Sequence, residues 1–411
     1  MAAKNSRHQK LPFRLGFKMT PLGRVAAFFI FLSALGSITV EIPIYQLFFG
    51  IVSLFGIAET VGWVYRPSLE VTGWLPSHAG EGDEITGSLK VTNKGYFPAY
   101  DIMTAFMVLP RGVEHLNPRD YLRELKSGET AHLPVRLRIG RRGEYLLPSL
   151  SVHSTFPLNL MRFGSARIRF PRITVFPKYT PLERLEVPVS RRFQNGGILV
   201  ETRTGHPPEY VGNREYVSGE PVRRLDFRAW ARVGKPVVRE YQDEFCSRVA
   251  LVLDTWISDR SRRRRRQGLA AVEAAVSLTA ALAVHLRQTE SIIDLFAAGP
   301  DLFLFQTASG DQLESDAVLE ILAAVEATDH DPLEKVSPVI AESLESIASV
   351  ICVFLDWDKT REEFVQLVQE NGCHARVVLI RDHETLLPFP ESEDLTRLSP
   401  KQVTSGTVGE L

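Results

Sequence analysis

The chain has 411 residues and a formal net charge of −1, too long for one small domain and too evenly charged for a wholesale nucleic-acid binder. Hydrophobic residues make up 44%, enough for sizeable cores and a modest extra apolar segment. The three cysteines, Cys246, Cys352 and Cys373, are odd in number and widely spaced, which argues against a disulfide framework and for small buried thiols in a reducing compartment.

Residues 1–22 form a basic tail. Lys4, Arg7, Lys10, Arg14, Lys18 and Arg24 all precede the first carboxylate, Glu41. Two apolar runs follow over 23–65, broken by the polar, Pro-containing "EIPIY". A spanning helix needs about 20 apolar residues, so this length predicts a transmembrane hairpin. A second run follows at once and no small-residue cleavage site intervenes, which disfavours a signal peptide. Basic residues flank both ends while the turn carries only Glu41, so both ends are expected in the cytoplasm and the chain in the inner (cytoplasmic) membrane.

Over 68–180 the pattern becomes short period-2 runs such as "EITGSLKVTNKG" and "TAHLPVRLRIG", separated by turn clusters. That predicts an antiparallel β-sandwich of Ig-like type. Residues 181–247 are of low periodicity and contain "REYVSGEPVRRLDFRAWARVGKPVVREY". From 248 to 385 continuous apolar strands alternate with helical stretches, predicting a mainly parallel sheet covered on both faces. The tail from 386 to 411, rich in Pro, Ser, Thr and Glu, is expected to be disordered.

The strand "VALVLD" ends in Asp254 and "VICVFLD" in Asp356. Ligands of open α/β sheets bind beyond the carboxyl ends of strands, so either acid marks a site or merely caps and faces solvent.

The long string carried by Tyr216, Gly219, Glu220, Arg223, Arg224, Leu225, Asp226, Phe227, Ala231 and Arg232 resembles the signature of the DUF58 family. The resemblance implies a von Willebrand factor A-like domain after the signature and a partnership with a MoxR-type AAA+ ATPase. It also implies where a metal-dependent adhesion site would lie: Asp254, Ser258, Thr307 and Asp356 as oxygen ligands of Mg²⁺. The middle serine of that motif is replaced by Trp256, whose indole has only an N–H donor. Two readings follow, a degenerate site with water filling the gaps, or a metal-free edge on which Trp256 is an exposed docking aromatic. The Arg and acid string of the signature either fastens an irregular segment by charge-assisted hydrogen bonds or docks a partner.

Arg262 to Arg266 form a run of like charge, expected as a solvated loop or a contact to anionic lipid, with nucleic acid disfavoured. No nucleophile elbow, zinc-protease motif or Walker A loop is present. The expected protein is a non-enzymatic, membrane-anchored adaptor that binds a protein partner. The alternatives are a divalent-metal-dependent binding module and an envelope hydrolase without a motif.

Overall fold

A computed structural model describes residues 18–36, 42–186, 209–217, 225–242, 248–257, 262–289, 291–298, 302–306, 315–390 and 392–411. They fall into two compact units, Met1–Lys178 and Tyr179–Leu411.

The first unit opens with the apolar helices α1 (Pro21–Gly36) and α2 (Ile42–Val64). Neither has a polar face, and side chains such as Phe28, Phe31, Leu47 and Phe49 point outward, which in a water-soluble helix would be unfavourable over this length. The stretch Tyr45–Val64 is long and apolar enough to cross a bilayer, and only 11% of it is buried. The described part of α1 is shorter, at 16 residues.

Strands β1 (Leu69–Trp74), β2 (His78–Gly80), β3 (Glu84–Asn93), β4 (Ala99–Phe106), β5 (Val113–His115) and β6 (Tyr121–Leu125) follow. After them come β7 (Thr130–Ile139), β8 (Gly143–Tyr145), β9 (Leu150–Ser154), β10 (Phe163–Ile168) and β11 (Ile173–Phe176). They form sheets of order β1-β3-β7-β5 and β10-β9-β4-β6, with a small third sheet β2-β11-β8. Both large sheets are antiparallel. Strands β3 and β7 alternate buried and exposed side chains, as one face on a core requires. Leu89, Val91, Val135 and Leu137 from one sheet share a single core with Ile102, Leu125, Leu150 and Val152 from the other, so the two sheets pack as a sandwich.

The first strands of the second unit are a hairpin of β12 (Glu209–Glu215) and β13 (Val237–Gln242), between which lies the short helix α3 (Phe227–Val233). Then come β14 (Arg248–Leu253), α4 (Arg262–Gln288), β15 (Ile292–Ala298), β16 (Leu302–Gln306), α5 (Ser315–Ala324), α6 (Leu333–Ser343), β17 (Ser349–Phe354), α7 (Lys359–Glu370), β18 (His374–Ile380), β19 (Leu395–Leu398) and α8 (Pro400–Ser405). The sheet order is β16-β15-β14-β17-β18-β19, parallel except for the β15–β16 pair. Alternate residues of β14 serve opposite faces. Val249, Leu251 and Leu253 meet α4, α5 and α8, while Ala250 and Val252 meet α6 and α7.

Two expectations are corrected, and one helix lies outside the sequence pattern. The tail from 386 is ordered: β19 extends the sheet, and α8 carries a capping box between Ser399 and Gln402, with Pro400 opening the helix. Leu411 bonds back to Arg184 and is buried with Val403 in the core. The Arg262 to Arg266 run is the first turn of α4, not a loop; the amphipathic repeat behind it carries the helix into the basic stretch. Helix α6 escapes the sequence pattern because Pro338 lies inside it, and proline normally ends a helix. Helix α4 meets the same length and hydropathy test as α2, yet 61% of it is buried, which makes it the core helix of this unit.

Candidate functional site

Strands β14 and β17 are neighbours at the centre of the sheet, and the chain leaves β14 toward β15 on one side while β17 lies on the other. Their carboxyl ends therefore flank a topological switch point, the favoured ligand position in open α/β sheets. Asp254 and Asp356 stand there, both buried.

Each carboxylate is already engaged. Asp254 Oδ1 accepts from the Trp256 backbone N–H at 2.9 Å, and Oδ2 accepts from the Leu355 N–H at 3.2 Å. The same Oδ2 lies 2.9 Å from both Nε and Nη2 of Arg361. Arg361 comes from the first turn of α7, where Asp358 caps the helix by accepting the Arg361 N–H. The Arg361 guanidinium also donates through Nη1 to Asp358 at 2.7 Å and to Asp331 at 3.4 Å. Its side chain and that of Asp254 are both 0% exposed.

Two aromatic rings close the assembly. The Arg361 guanidinium carbon is 4.9 Å from the Trp256 ring and 5.9 Å from Phe354, within cation–π range. Burial opposes the arginine's charge, but Asp254, Asp331 and Asp358 outweigh it and hold the guanidinium proton more tightly than usual. Burial pushes the Asp331 carboxyl above its ordinary value, against the opposing pull of Arg361. Asp356 pairs separately with Arg381 at 2.7 Å and accepts the Trp357 N–H at 2.9 Å.

The metal expectation is thereby tested by the donor set. A hard divalent cation needs carboxylate oxygens at about 2.0–2.6 Å, and a guanidinium sits where the Asp254 oxygens would direct it. Among the described residues, Asp254 does not fit a metal: Arg361 supplies the positive charge from within the chain. Asp254 and Asp356 flank the same edge but carry different arginines. Ser258 and Thr307, the other expected ligands, lie outside the described residues. Among the described residues no group of three or more His, Cys, Asp or Glu is placed to hold a metal.

Trp256 is also corrected. It is half-buried as the lid over Arg361, its Nε1 donates to the Asp329 carbonyl at 3.3 Å, and its backbone bridges to Thr328. It is not an exposed docking aromatic.

Of the signature residues, Gly219, Glu220, Arg223 and Arg224 lie outside the described residues, while Tyr216, Asp226 and Arg232 lie within them. Asp226 is the N-cap of α3, its Oδ1 accepting from the Arg228 and Ala229 N–H groups at 3.0 and 3.1 Å. Its own N–H bonds to the Val237 carbonyl, and the Tyr216 N–H bonds to the Pro236 carbonyl, so the described part of the signature forms a hairpin with a capped helix. Gly234, at φ 75°, ends that helix in the left-handed conformation that glycine adopts without strain. Arg232 lies in the last turn, where a cation complements the helix dipole.

Sequence reasoning missed what α3 displays. Phe227, Trp230 and Val233, spaced i, i+3, i+6, are exposed, with Phe227 and Trp230 stacked at 6.2 Å. Arg228 and Arg232 flank them. The spacing within "FRAWARV" was the available signal. Arg361 was missed too, although a cation in the first turn of a helix opposes the dipole and so marks a residue held there for another reason.

The architecture is thus a multidomain protein: apolar N-terminal helices, antiparallel sheets, and an α/β unit whose strand-end carboxylates are neutralised by arginines. Residues 212–395 match the family described as "Protein of unknown function DUF58", and the chain is a DUF58 family protein. Over 342 residues it is 24% identical to an uncharacterised protein, YeaD, of Bacillus subtilis (strain 168), covering 79% of this chain and 78% of that one. Among solved structures, a CARDB domain from Pyrococcus furiosus matches with 14% identity and a TM-score of 0.18, covering 27% of this chain and 95% of that chain. A FixG-related protein from Vibrio parahaemolyticus matches with 14% identity and a TM-score of 0.19, covering 27% and 96%.

Proposed function

We propose that this protein is a membrane-anchored, non-enzymatic adaptor whose A-like α/β unit and adjoining signature hairpin bind a protein partner, a MoxR-type AAA+ ATPase. The helices α1 and α2 anchor it in the inner membrane as two passes, with the soluble parts in the cytoplasm. The observation that supports this most is the face of α3. A capped, seven-residue helix holds Phe227 at 64% exposure beside Trp230 and Val233, between two arginines. Aromatic residues with arginine are the side chains over-represented at binding hot spots. Both Asp254 oxygens are already engaged by Arg361 and backbone N–H groups, which favours the apolar face over a metal-dependent contact.

The test is affinity purification of the tagged full chain from detergent-solubilised, mildly cross-linked membranes, with wild type beside a Phe227→Ala, Trp230→Ala double variant. An AAA+ ATPase recovered with wild type and lost from the variant, while both remain folded, is the expected result. Equal recovery with both would remove α3 as the docking surface. Recovery of no ATPase with wild type would remove the proposed partner.

A further inference from the structure

The apolar hairpin is seated on one end of the sandwich by specific contacts. The Thr20 N–H donates to the Leu160 carbonyl at 3.0 Å and the Arg162 N–H to the Lys18 carbonyl at 2.9 Å, so the residues entering α1 pair with the 159–162 segment. A Cβ on Gly23 would lie 2.1 Å from the Leu160 oxygen, and one on Gly62 would lie 2.1 Å from the Phe163 ring. Both helices thus approach the sandwich as closely as glycine permits. Lys18 and Glu59, at 3.0 Å, tie the start of α1 to the last turns of α2.

The rim at this junction is aromatic. Tyr65, just past α2, lies 5.9 Å from Phe97, 5.8 Å from Phe156 and 6.3 Å from Tyr100, all edge-on. Phe97 belongs to the loop between β3 and β4, and the neighbouring Tyr96 is 97% exposed; on the helix end Trp63 is 71% exposed. Lys94, Arg66 and Arg24 are exposed at the same end of the unit. Large aromatic surface left in water at a loop tip is unfavourable, at about 25 cal/mol per Å² of apolar area. Trp and Tyr beside Lys and Arg at the end of an apolar helix are the side chains that settle in the headgroup layer of a bilayer.

We propose that the 94–98 loop rests in the interfacial layer of the bilayer that the hairpin crosses, with Tyr96 and Phe97 among the lipid headgroups. The partner of this surface is lipid. The inference depends on the hairpin being membrane-embedded, and its placement follows from continuity: a loop whose Phe97 ring touches Tyr65 lies at the depth of the helix end. The sandwich then has a third contact with the membrane and stands on it at a fixed angle. Its opposite end, around Arg141, lies about 30 Å away along the ten-residue strand β3.

The experiment places one fluorescent label at a time on the full chain in mixed phosphatidylcholine and phosphatidylglycerol vesicles. The labelled variants are Tyr96→Cys, Phe29→Cys and Arg141→Cys, each on a Cys246→Ser background, since Cys352 and Cys373 are buried. Lipids carrying a nitroxide near the headgroup or deep in the acyl chain serve as quenchers. The expected pattern is deep quenching at 29, shallow quenching with a blue-shifted emission at 96, and neither at 141. If 29 is quenched while 96 behaves like 141, the hairpin stands and the loop contact is overturned. If 29 is not quenched, the membrane hairpin fails and the proposal fails with it.

Discussion

Replacing Arg361 with Ala tests whether the chain supplies its own cation at the strand-end edge. The substitution removes two contacts of 2.9 Å to Asp254 and one of 2.7 Å to Asp358. It leaves the Asp254 carboxylate, 0% exposed, with two backbone donors among the described residues. Breaking a buried pair by removing one partner costs about 3–5 kcal/mol because an uncompensated charge remains. For a unit of this size each kcal/mol shifts the midpoint by about 2–4 °C, so Tm falls by roughly 6–20 °C. The void left by the side chain faces Asp254, Asp331 and Asp358, an all-oxygen set of the kind that takes Mg²⁺ or Mn²⁺. Millimolar divalent cation should therefore raise the Tm of the variant and leave wild type unchanged. Differential scanning fluorimetry of the detergent-solubilised full chain reads both effects, with Trp256 as a local reporter. Wild type stabilised by Mn²⁺ as much as the variant would refute the assignment, as would an Arg361→Ala protein melting with wild type.

Asp331 behaves differently from Asp254 in the same cluster. Burial raises its carboxyl from the ordinary 3.8, so the folded state binds this proton more tightly than the unfolded one, and the group weakens the fold as pH rises through its folded value. Asp331→Asn should keep or raise Tm at neutral pH and flatten the slope just above pH 3.8, measured by melts across pH; a sharp loss at neutral pH would contradict this. In the sandwich, burial, aided by Arg162, lowers His153 to about 3 from 6.5. The unfolded chain then takes up a proton that the fold refuses, so stability is lost as pH falls from 6.5 toward 3, up to roughly 4 kcal/mol. A non-titrating His153→Gln protein should lack that slope in denaturant titrations at pH 7 and pH 4. Asp226→Ala should cost about 1 kcal/mol as a lost helix cap, with Asp226→Ser restoring most of it; a variant that melts with wild type would show the cap to be dispensable.

The layers of the chain were legible because each has its own hydrophobic period. Strands β3 and β7 alternate strictly, β14 and β17 are apolar throughout, and α1 and α2 are apolar on every side. Composition misled at the C-terminus, where Ser399, Pro400 and Gln402 contribute to polarity yet are the start signals of α8, and Leu398, Val403 and Leu411 supply its anchors. The edge carboxylates were visible as strand-terminal aspartates, but their partners were not. Arg361 is 107 residues from Asp254 in sequence, and only the fold brings the first turn of α7 over the end of β14. Trp256 was noticed as a substitution for a hydroxyl ligand, while its use as a lid on a guanidinium depends on that long-range partner.

The Trp and the Arg make sense together. A metal at Asp254 would be hydrated and would require small hydroxyl side chains around it. A guanidinium is planar, weakly hydrated and stacks on aromatic faces, so a tryptophan two residues after Asp254 suits Arg361 and offers Mg²⁺ no oxygen ligand. The pairing also limits what the edge can do. A metal site binds an acidic partner through an open coordination position and responds to cation concentration, whereas the Arg361 donors are taken up by three aspartates and sealed by two rings. What is left is a buried ionic join between β14, the 328–331 loop and α7. The stacked Phe227 and Trp230 on α3 are among the large apolar side chains that stay exposed.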